Sequence, residues 1–269
     1  ISPSRKAAAA AGHEGITHPS ELAATWINGR EAAQQWIDLK MLDKDLERLW
    51  ASYDGERTFH RWLNYASHYQ MHLPGPTLFR SMGEKVRMLE IGVQYGGSVL
   101  VWKRFYGDTL YYVGLDIDPR CNRSRDESND LYIEIGSQMD TGVLDVLCSK
   151  HGPFDIIIDD GGHAWNMISI SLKHMLRNPL CLKQRGGQYV VEDTHVMNMC
   201  TSGYCARPSD ITNIFSEVWE EMHAPYRTGS GPASIHLYRS IAFIQLGKQE
   251  EEVFFARGRD WFRERRKPQ

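Results

Sequence analysis

Two acidic pairs follow apolar stretches of the sequence and could hold a metal ion. Asp159-Asp160 comes directly after the apolar run Phe154–Ile158, and Glu192-Asp193 comes directly after Gln188–Val191. Adjacent carboxylates at the end of a buried strand are costly unless a cation neutralises them. Neighbouring parallel strands lie about 4.8 Å apart, so the two pairs can converge on one point. Converging carboxylate oxygens without cysteine suit Mg²⁺, with Mn²⁺ as the alternative.

A histidine lies three residues beyond the first acidic pair, where a general base would be needed. His163 is separated from Asp160 by two glycines. The near-neutral pKa of histidine suits removal of a proton from an alcohol held on the metal. The alternative is that the acidic residues cap the following helices and that the histidines are solvated.

A glycine-containing segment, Leu89–Ser98, follows another apolar run and could approach a ligand. Its glycines, at 92, 96 and 97, allow a tight turn from a strand into a helix, but their spacing differs from the G-x-G-x-x-G of dinucleotide-binding folds. Glu90 at the start of the segment would repel a diphosphate but suits an amine or a sulfonium. A purely structural glycine turn is an equally good interpretation of this segment alone.

Two further segments favour an adenosyl ligand. Asp116 follows the apolar run Val113–Leu115, where an acidic residue can accept both hydroxyls of a ribose. An ordinary helix cap before Pro119 is the alternative. Polar side chains of Gly136–Asp140 follow a third run and could reach the edge of an adenine. Together with the glycine segment, these features favour adenosyl binding over coincidence.

The elements that must position these residues alternate between strands and helices after Gly83. Short apolar runs separated by helical stretches are typical of a parallel sheet covered on both faces. A one-faced helix, Ser209–Met222, is followed by a loop at Gly229–Pro232 and by two strands joined in a tight turn. The predicted strands are Val86–Ile91, Leu110–Leu115, Leu131–Ile135, Phe154–Ile158, Gln188–Val191, Ser234–Tyr238 and Ile241–Leu246.

The chain divides by pattern into four parts: a flexible lead-in over 1–20, a helical section over 21–82, an α/β domain over 83–250 and a charged tail over 251–269. The last helix of the helical section is predicted to carry Phe59, Trp62, Leu63, Tyr65 and Tyr69. We expect it to stop before the segment that starts at His72, because two prolines there prevent its continuation. His60, Tyr65 and His68 could close over the site, but we favour a packing role for them.

Composition excludes several classes of protein. The 269 residues are 42% hydrophobic and 24% charged, which is typical of a globular protein and not of a disordered one. Lys and Arg number 31 against 34 Asp and Glu, so no basic excess supports binding to nucleic acid. No apolar run is long enough to cross a bilayer.

The cysteines and the chain start leave the compartment open. The five cysteines do not match a paired zinc-ligand pattern, although Cys200 and Cys205 could close a small disulfide loop. Asn122 begins a formal glycosylation triplet. The start at Ile1 suggests a trimmed or processed form, which favours a lumenal, Golgi-type domain, with the cytoplasm as the alternative. The oligomeric state is also open, and a homo-oligomer is one of the alternatives.

These segments together resemble class I S-adenosylmethionine-dependent methyltransferases. More narrowly, the chain is similar to the metal-dependent sugar O-methyltransferases of the mycinamicin type and to the neighbouring rhamnosyl O-methylase group. The Asp-Asp-Gly-x-His motif combined with Glu-Asp is specific to this branch, and the resemblance covers about residues 59 to 246. The matching stretches, in the order of the family, are Leu89–Ser98, Val113–Cys121, Gly136–Asp140, Gly152–His163 and Gly186–His195.

The resemblance implies a fold, two cofactors and a set of site residues. The implied fold is a Rossmann-like, mostly parallel seven-stranded sheet with a C-terminal antiparallel hairpin, next to the helical section. Mg²⁺ would be bound by Asp160, Glu192 and Asp193, with His163 and Asp160 in the catalytic roles. The residues expected to hold S-adenosylmethionine are Glu90, Gly92, Tyr95, Ser98, Asp116, Ser137, Gln138 and Asp159.

The predicted activity is methyl transfer to a sugar hydroxyl of a glycoside or a polysaccharide, with Mg²⁺ chelating the acceptor. Metal-dependent methylation of a catechol-like molecule and a non-catalytic S-adenosylmethionine-binding module are the alternatives. One departure concerns the acceptor: relatives often continue after Glu192-Asp193 with a Thr-Ser-Tyr-type stretch, whereas here His195 leads into Val196–Cys200. The identity of the sugar therefore cannot be carried over from the family.

Overall fold

The computed structural model describes residues 45–199, 208–224 and 229–249. The predicted lead-in, the helices before residue 45, Cys200, Cys205 and the charged tail lie outside the described residues. No helix in the described part of the chain is both long and apolar enough to cross a membrane.

A seven-stranded mixed sheet forms the centre of the molecule and confirms the predicted fold class. Its spatial order is β3-β2-β1-β4-β5-β7-β6, with β1 to β5 parallel and β7 antiparallel to both of its neighbours. The strands are β1 Val86–Ile91, β2 Leu110–Asp116, β3 Leu131–Ile135, β4 Ile156–Asp159, β5 Gln188–Val191, β6 Gly229–Tyr238 and β7 Ile241–Gln249.

Helices cover both faces of the sheet. Val86 and Met88 of β1 pack with aromatic side chains of the N-terminal helices on one face of the sheet. Leu89 packs on the other face with the helices on either side of β4. Alternate residues of a strand point to opposite faces, so a continuous apolar run supplies both cores at once. The helices are α1 Leu46–Ala51, α2 Leu63–His72, α3 Pro76–Met82, α4 Gly97–Tyr106, α5 Thr141–His151, α6 Trp165–Leu176 and α7 Pro208–Met222.

The predicted start of α2 is wrong, and its predicted stop before His72 is one residue early, because α2 ends at His72. The helix α2 begins at Leu63, because Trp62 has extended backbone (φ −71°, ψ 126°), and Phe59 precedes the helix. The chain also resumes a helix at once: α3 begins at Pro76, whose missing N–H and fixed φ suit the first helical position. Pro74 thus follows the end of α2, and Pro76 is the first residue of α3.

Two predicted strands also differ from the structure. Phe154 lies outside β4 because its N–H donates to the carbonyl of Cys181 and it pairs with Leu182 rather than with the sheet. Gly229–Pro232, predicted as a loop, belongs to β6, with a shift of register between Pro232 and Ser234. β6 is an edge strand, where a proline does not interrupt a ladder on both sides.

A disulfide that the sequence did not predict joins Cys148 of α5 to Cys181, with the two Cα atoms 4.6 Å apart. The segment around Cys181 runs beside the residues that precede β4, which brings the two cysteines together. Among the described cysteines, Cys121 is unpaired and buried.

Candidate active site

The carboxyl ends of the parallel strands open onto a cleft of about 380 Å³. Ligands bind at this edge in open α/β sheets, and the volume is within the range of small-molecule sites. Residues from the ends of β2, β3, β4 and β5 reach the cleft. Its polar side chains are those of His60, Gln94, Asp116, Ser137, Gln138, Asp160, His163 and Asp193.

Three predicted site residues come together at the centre of this edge. Asp160 follows β4, Asp193 follows β5, and these strands are direct neighbours. One ligand atom from each of Asp160, His163 and Asp193 lies within 4.8 Å of the others. Mg²⁺ is usually held by one or two carboxylates and completes its shell with water or substrate oxygens. Two carboxylates beside an open cleft therefore fit this ion.

Two members of this cluster have unusual backbone. His163 has φ 55° and Asp193 has φ 52°, a left-handed conformation that side chains other than glycine rarely adopt. Such conformations cost free energy and are found most often at functional sites, where they direct a side chain to one point. Here they turn the imidazole and the carboxylate toward each other, with 3.8 Å between His163 Nε2 and Asp193 Oδ2.

Burial changes the protonation of the cluster. It lowers the pKa of His163, although the charges of Asp193 and Asp159 oppose the effect. The shift favours the neutral imidazole, which is the form that can accept a proton. Burial and the charge of Glu192 raise the pKa of Asp160 despite the nearby Arg61. Arg61 thus offsets only part of the cost of ionising Asp160 in this buried position.

A buried arginine that the sequence analysis missed links three acidic residues. The Arg61 guanidinium lies 3.0 Å from Asp160 Oδ2 and 2.7 Å from Glu192 Oε1, and it also pairs with Glu90. The side chain of Arg61 is only 2% exposed. It connects the ends of β1, β4 and β5 from a segment that precedes α2.

The same N-terminal segment supplies further hydrogen bonds to the acidic residues. The Trp62 Nε1 donates to Asp193 Oδ1 at 3.0 Å, and the Tyr65 hydroxyl lies 2.7 Å from the same oxygen. Tyr69 donates its hydroxyl hydrogen to Glu192. Tyr65 and Tyr69 are four apart on α2, and this spacing was the available signal, since residues four apart share one helix face. Arg61 precedes α2, so the spacing gives no signal for it.

The predicted metal ligand Glu192 lies outside the three-residue cluster. It is 1% exposed, and Arg61 and Tyr69 bind its carboxylate. Burial raises the pKa of Glu192 to about 7, while Arg61 opposes this shift. Glu192 therefore joins the cluster only through Arg61, which contacts Asp160 as well.

Three of the residues predicted to hold S-adenosylmethionine line the cleft with polar side chains. One oxygen of Asp116 accepts hydrogen bonds at 2.8 Å from the backbone N–H groups of Val93 and Gln94, and the other accepts from the Asp118 N–H at 2.8 Å. The second oxygen retains a lone pair for a ribose hydroxyl. Gln138 accepts from the Gly162 N–H at 2.7 Å and so ties the β3 loop to the β4 loop. Ser137 lies beside it in the cleft.

Four other predicted cofactor residues do not line the cleft. Asp159 is 1% exposed, and its carboxylate accepts from Gln138, Ser171 and Tyr189. Glu90 is fully buried, and its oxygens are bound by Arg61, Ser98 and Tyr112. Ser98 therefore donates its hydroxyl hydrogen to Glu90. Tyr95 is half exposed.

Gly92 lines the cleft, but it is needed for a different reason from the predicted approach of a ligand. Its φ is +93°, and a Cβ there would lie 2.1 Å from the carbonyl oxygen of Asp160. The close contact is between two loops of the protein, those that follow β1 and β4. Gly92 therefore fixes the position of Asp160.

Comparisons with known proteins agree with this architecture. No family model matches the chain. It is 31% identical to demethylmacrocin O-methyltransferase of Streptomyces fradiae over 209 residues, which are 70% of this chain and 49% of that protein. It is 27% identical to mycinamicin VI 2''-O-methyltransferase of Micromonospora griseorubida over 209 residues, with the same coverage of both chains. The chain thus spans about half the length of these curated relatives.

Among solved structures, the MycE methyltransferase of the mycinamycin biosynthetic pathway, in complex with Mg, SAH and mycinamycin VI, is similar to this chain. The TM-score is 0.61 at 26% identity, and the match covers 90% of this chain and 66% of MycE. These comparisons confirm the predicted resemblance to sugar O-methyltransferases and to the class I methyltransferase fold.

Proposed function

We propose that this chain, which is similar to the sugar O-methyltransferases, transfers a methyl group from S-adenosylmethionine to a sugar hydroxyl of a glycoside or a polysaccharide. One observation carries the proposal: Asp160, His163 and Asp193 meet beside the cleft that Asp116 also lines. A cation site, a neutral base and an acceptor for ribose hydroxyls thus share one cavity.

Asp160 and Asp193 would hold Mg²⁺, with Glu192 as the third predicted ligand, connected to Asp160 through Arg61. The ion would lower the pKa of an acceptor hydroxyl and help to orient the sugar. The protein keeps the ligands in place through Trp62 and Tyr65, which hydrogen-bond to Asp193. Such outer partners typically change metal affinity 10- to 100-fold when removed.

His163 would accept the proton of the reacting hydroxyl, because burial lowers the pKa of its imidazole and so favours the neutral form. The hydroxyl oxygen attacks the sulfonium methyl carbon, the bond between that carbon and sulfur breaks, and the proton moves to His163. The products are the sugar methyl ether and S-adenosylhomocysteine. Asp116 would bind the ribose hydroxyls of the donor, and Ser137 and Gln138 would contact its adenine. Holding both reactants in line is a large part of such catalysis.

The test measures methyl transfer to glycosides with Mg²⁺ or with EDTA, using the wild type, Asp160→Asn and the control Asp145→Asn. Asp145 is an exposed carboxylate on α5, paired with His174. We expect EDTA to abolish transfer and Asp160→Asn to reduce kcat about 100-fold or more, with Asp145→Asn unchanged. Isothermal titration of S-adenosylmethionine separates loss of the donor from loss of the metal.

Transfer that persists in EDTA and in Asp160→Asn would contradict the metal-assisted mechanism. Failure to bind S-adenosylmethionine would contradict the methyltransferase assignment itself. Catechol offered in place of a glycoside tests the other acceptor that presents two adjacent oxygens, and preferential methylation of catechol would overturn the sugar assignment.

A further inference from the structure

An exposed tryptophan lies beside the acidic cluster. The Trp62 side chain is 56% exposed, and Leu63, the next residue, is 51% exposed. The indole is adjacent to His195, with the ring centroids 5.9 Å apart and the planes at 76°. The indole bonds to Asp193, which lines the cleft, so this exposed aromatic ring lies beside the cleft.

The indole is fixed in place although it is exposed. Its Nε1 donates to Asp193 Oδ1 at 3.0 Å, while the other oxygen of the same carboxylate lies 3.8 Å from His163 Nε2. One carboxylate therefore bridges the indole and the proposed base. A rigid aromatic ring with a bonded edge offers a large contact area at little cost in side-chain entropy.

We infer that Trp62 is the platform on which the acceptor sugar stacks. This inference rests on the proposed function. A pyranose ring carries C–H groups on its faces and hydroxyls around its edge, so its face suits the indole while its edge reaches Asp193 and His163. Ligand sites commonly combine an apolar aromatic wall with a few such polar groups.

The experiment compares Trp62→Leu, Trp62→Phe and the control Trp219→Leu. Trp219 is a matched control, because it is 58% exposed, lies on α7 and also has a histidine neighbour, His223. Methyl α-rhamnopyranoside is the acceptor. With S-adenosylmethionine and Mg²⁺ saturating, we measure KM and kcat for each variant. Saturation-transfer NMR detects binding of the same glycoside without turnover.

We expect Trp62→Leu to raise KM for the neutral glycoside about tenfold and to weaken saturation transfer to its ring protons, with the affinity for S-adenosylmethionine unchanged. Trp62→Phe retains a ring and should raise KM about threefold or less. Trp219→Leu should match the wild type.

Equal acceptor KM values in Trp62→Leu and Trp219→Leu would overturn the inference. Absence of saturation transfer from the wild type to the glycoside would also overturn it. Binding that Trp62→Leu abolishes, without methyl transfer by the wild type, would support the platform and contradict the proposed function. The two failures are thus distinguishable.

Discussion

At the residue scale, Asp193 depends on hydrogen bonds from outside the sheet. The Tyr65 hydroxyl lies 2.7 Å from its Oδ1, and we predict that Tyr65→Phe weakens metal binding about tenfold, because the carboxylate loses a partner that fixes its direction. The measurement is the Mg²⁺ dependence of transfer, together with calorimetric binding of Mn²⁺. Tyr111→Phe is the control, since that hydroxyl bonds His151 instead. Metal affinity that is equal in both variants would show that Tyr65 only packs.

The residues at the strand ends could be predicted, and those that hold them could not. Asp160, His163 and Asp193 meet because parallel strands end at one edge, which the sequence pattern indicates directly. Arg61 reaches Glu90, Asp160 and Glu192 across 29 to 131 positions of sequence, and no local pattern encodes such a contact. Burial of the acidic residues, which sets their pKa values, is likewise a property of the folded chain alone.

At the element scale, the turn after β1 requires a glycine. We predict that Gly92→Ala lowers the free energy of unfolding by about 3 kcal/mol or more, because a left-handed φ and a clash with the Asp160 backbone add together. Gly83→Ala is the control: Gly83 also has a left-handed φ (+67°), but its Cβ would meet nothing within 4 Å. That variant should lose about 1 kcal/mol. Urea unfolding measures both, and equal losses would contradict the role of the contact.

The end of α5 carries a buried histidine that should make stability depend on pH. Burial lowers the pKa of His151, although Glu134 at 2.9 Å opposes the shift and Lys150 and Arg87 add to it. Below pH 6.5 the unfolded chain therefore takes up a proton that the folded chain does not, and acidification favours unfolding. We predict that, between pH 7 and about pH 5.5, the free energy of unfolding falls less in His151→Gln than in the wild type. Thermal unfolding at several pH values measures this difference, and parallel curves would contradict it.

Strands were easier to predict than helix boundaries. β1, β3 and β5 have the predicted limits because their apolar runs are bounded by polar residues and glycines. The start of α2 was missed because Trp62 has the apolar character of a helix face, while its indole in fact bonds Asp193. Its contact is tertiary, so the pattern of the sequence could not indicate it.

At the scale of the whole molecule, the N-terminal helices and the sheet share one core and one site. Trp50, Tyr65, Tyr69 and Phe79 pack with Met88 of β1 and with α4 on one face of the sheet. The segment that contacts the acidic residues belongs to the same helical part of the chain. Packing of these helices and formation of the site are therefore coupled.

The disulfide between Cys148 and Cys181, which are 33 positions apart, lies near the start of β4, at the end of this strand that is remote from the cleft. Constraining a loop of this length in the unfolded chain stabilises a protein by about 3 to 4 kcal/mol in the chain-entropy model. We predict that the double variant Cys148→Ala, Cys181→Ala loses stability of this order. The carbonyl of Cys181 accepts a hydrogen bond from Phe154, which precedes β4, whereas the cleft lies beyond the other end of β4. We therefore expect kcat to be unchanged. Dithiothreitol should lower the Tm of the wild type and leave that of the double variant unaltered. A wild-type Tm that does not respond to the reductant, with free thiols counted at both positions, would contradict the bond.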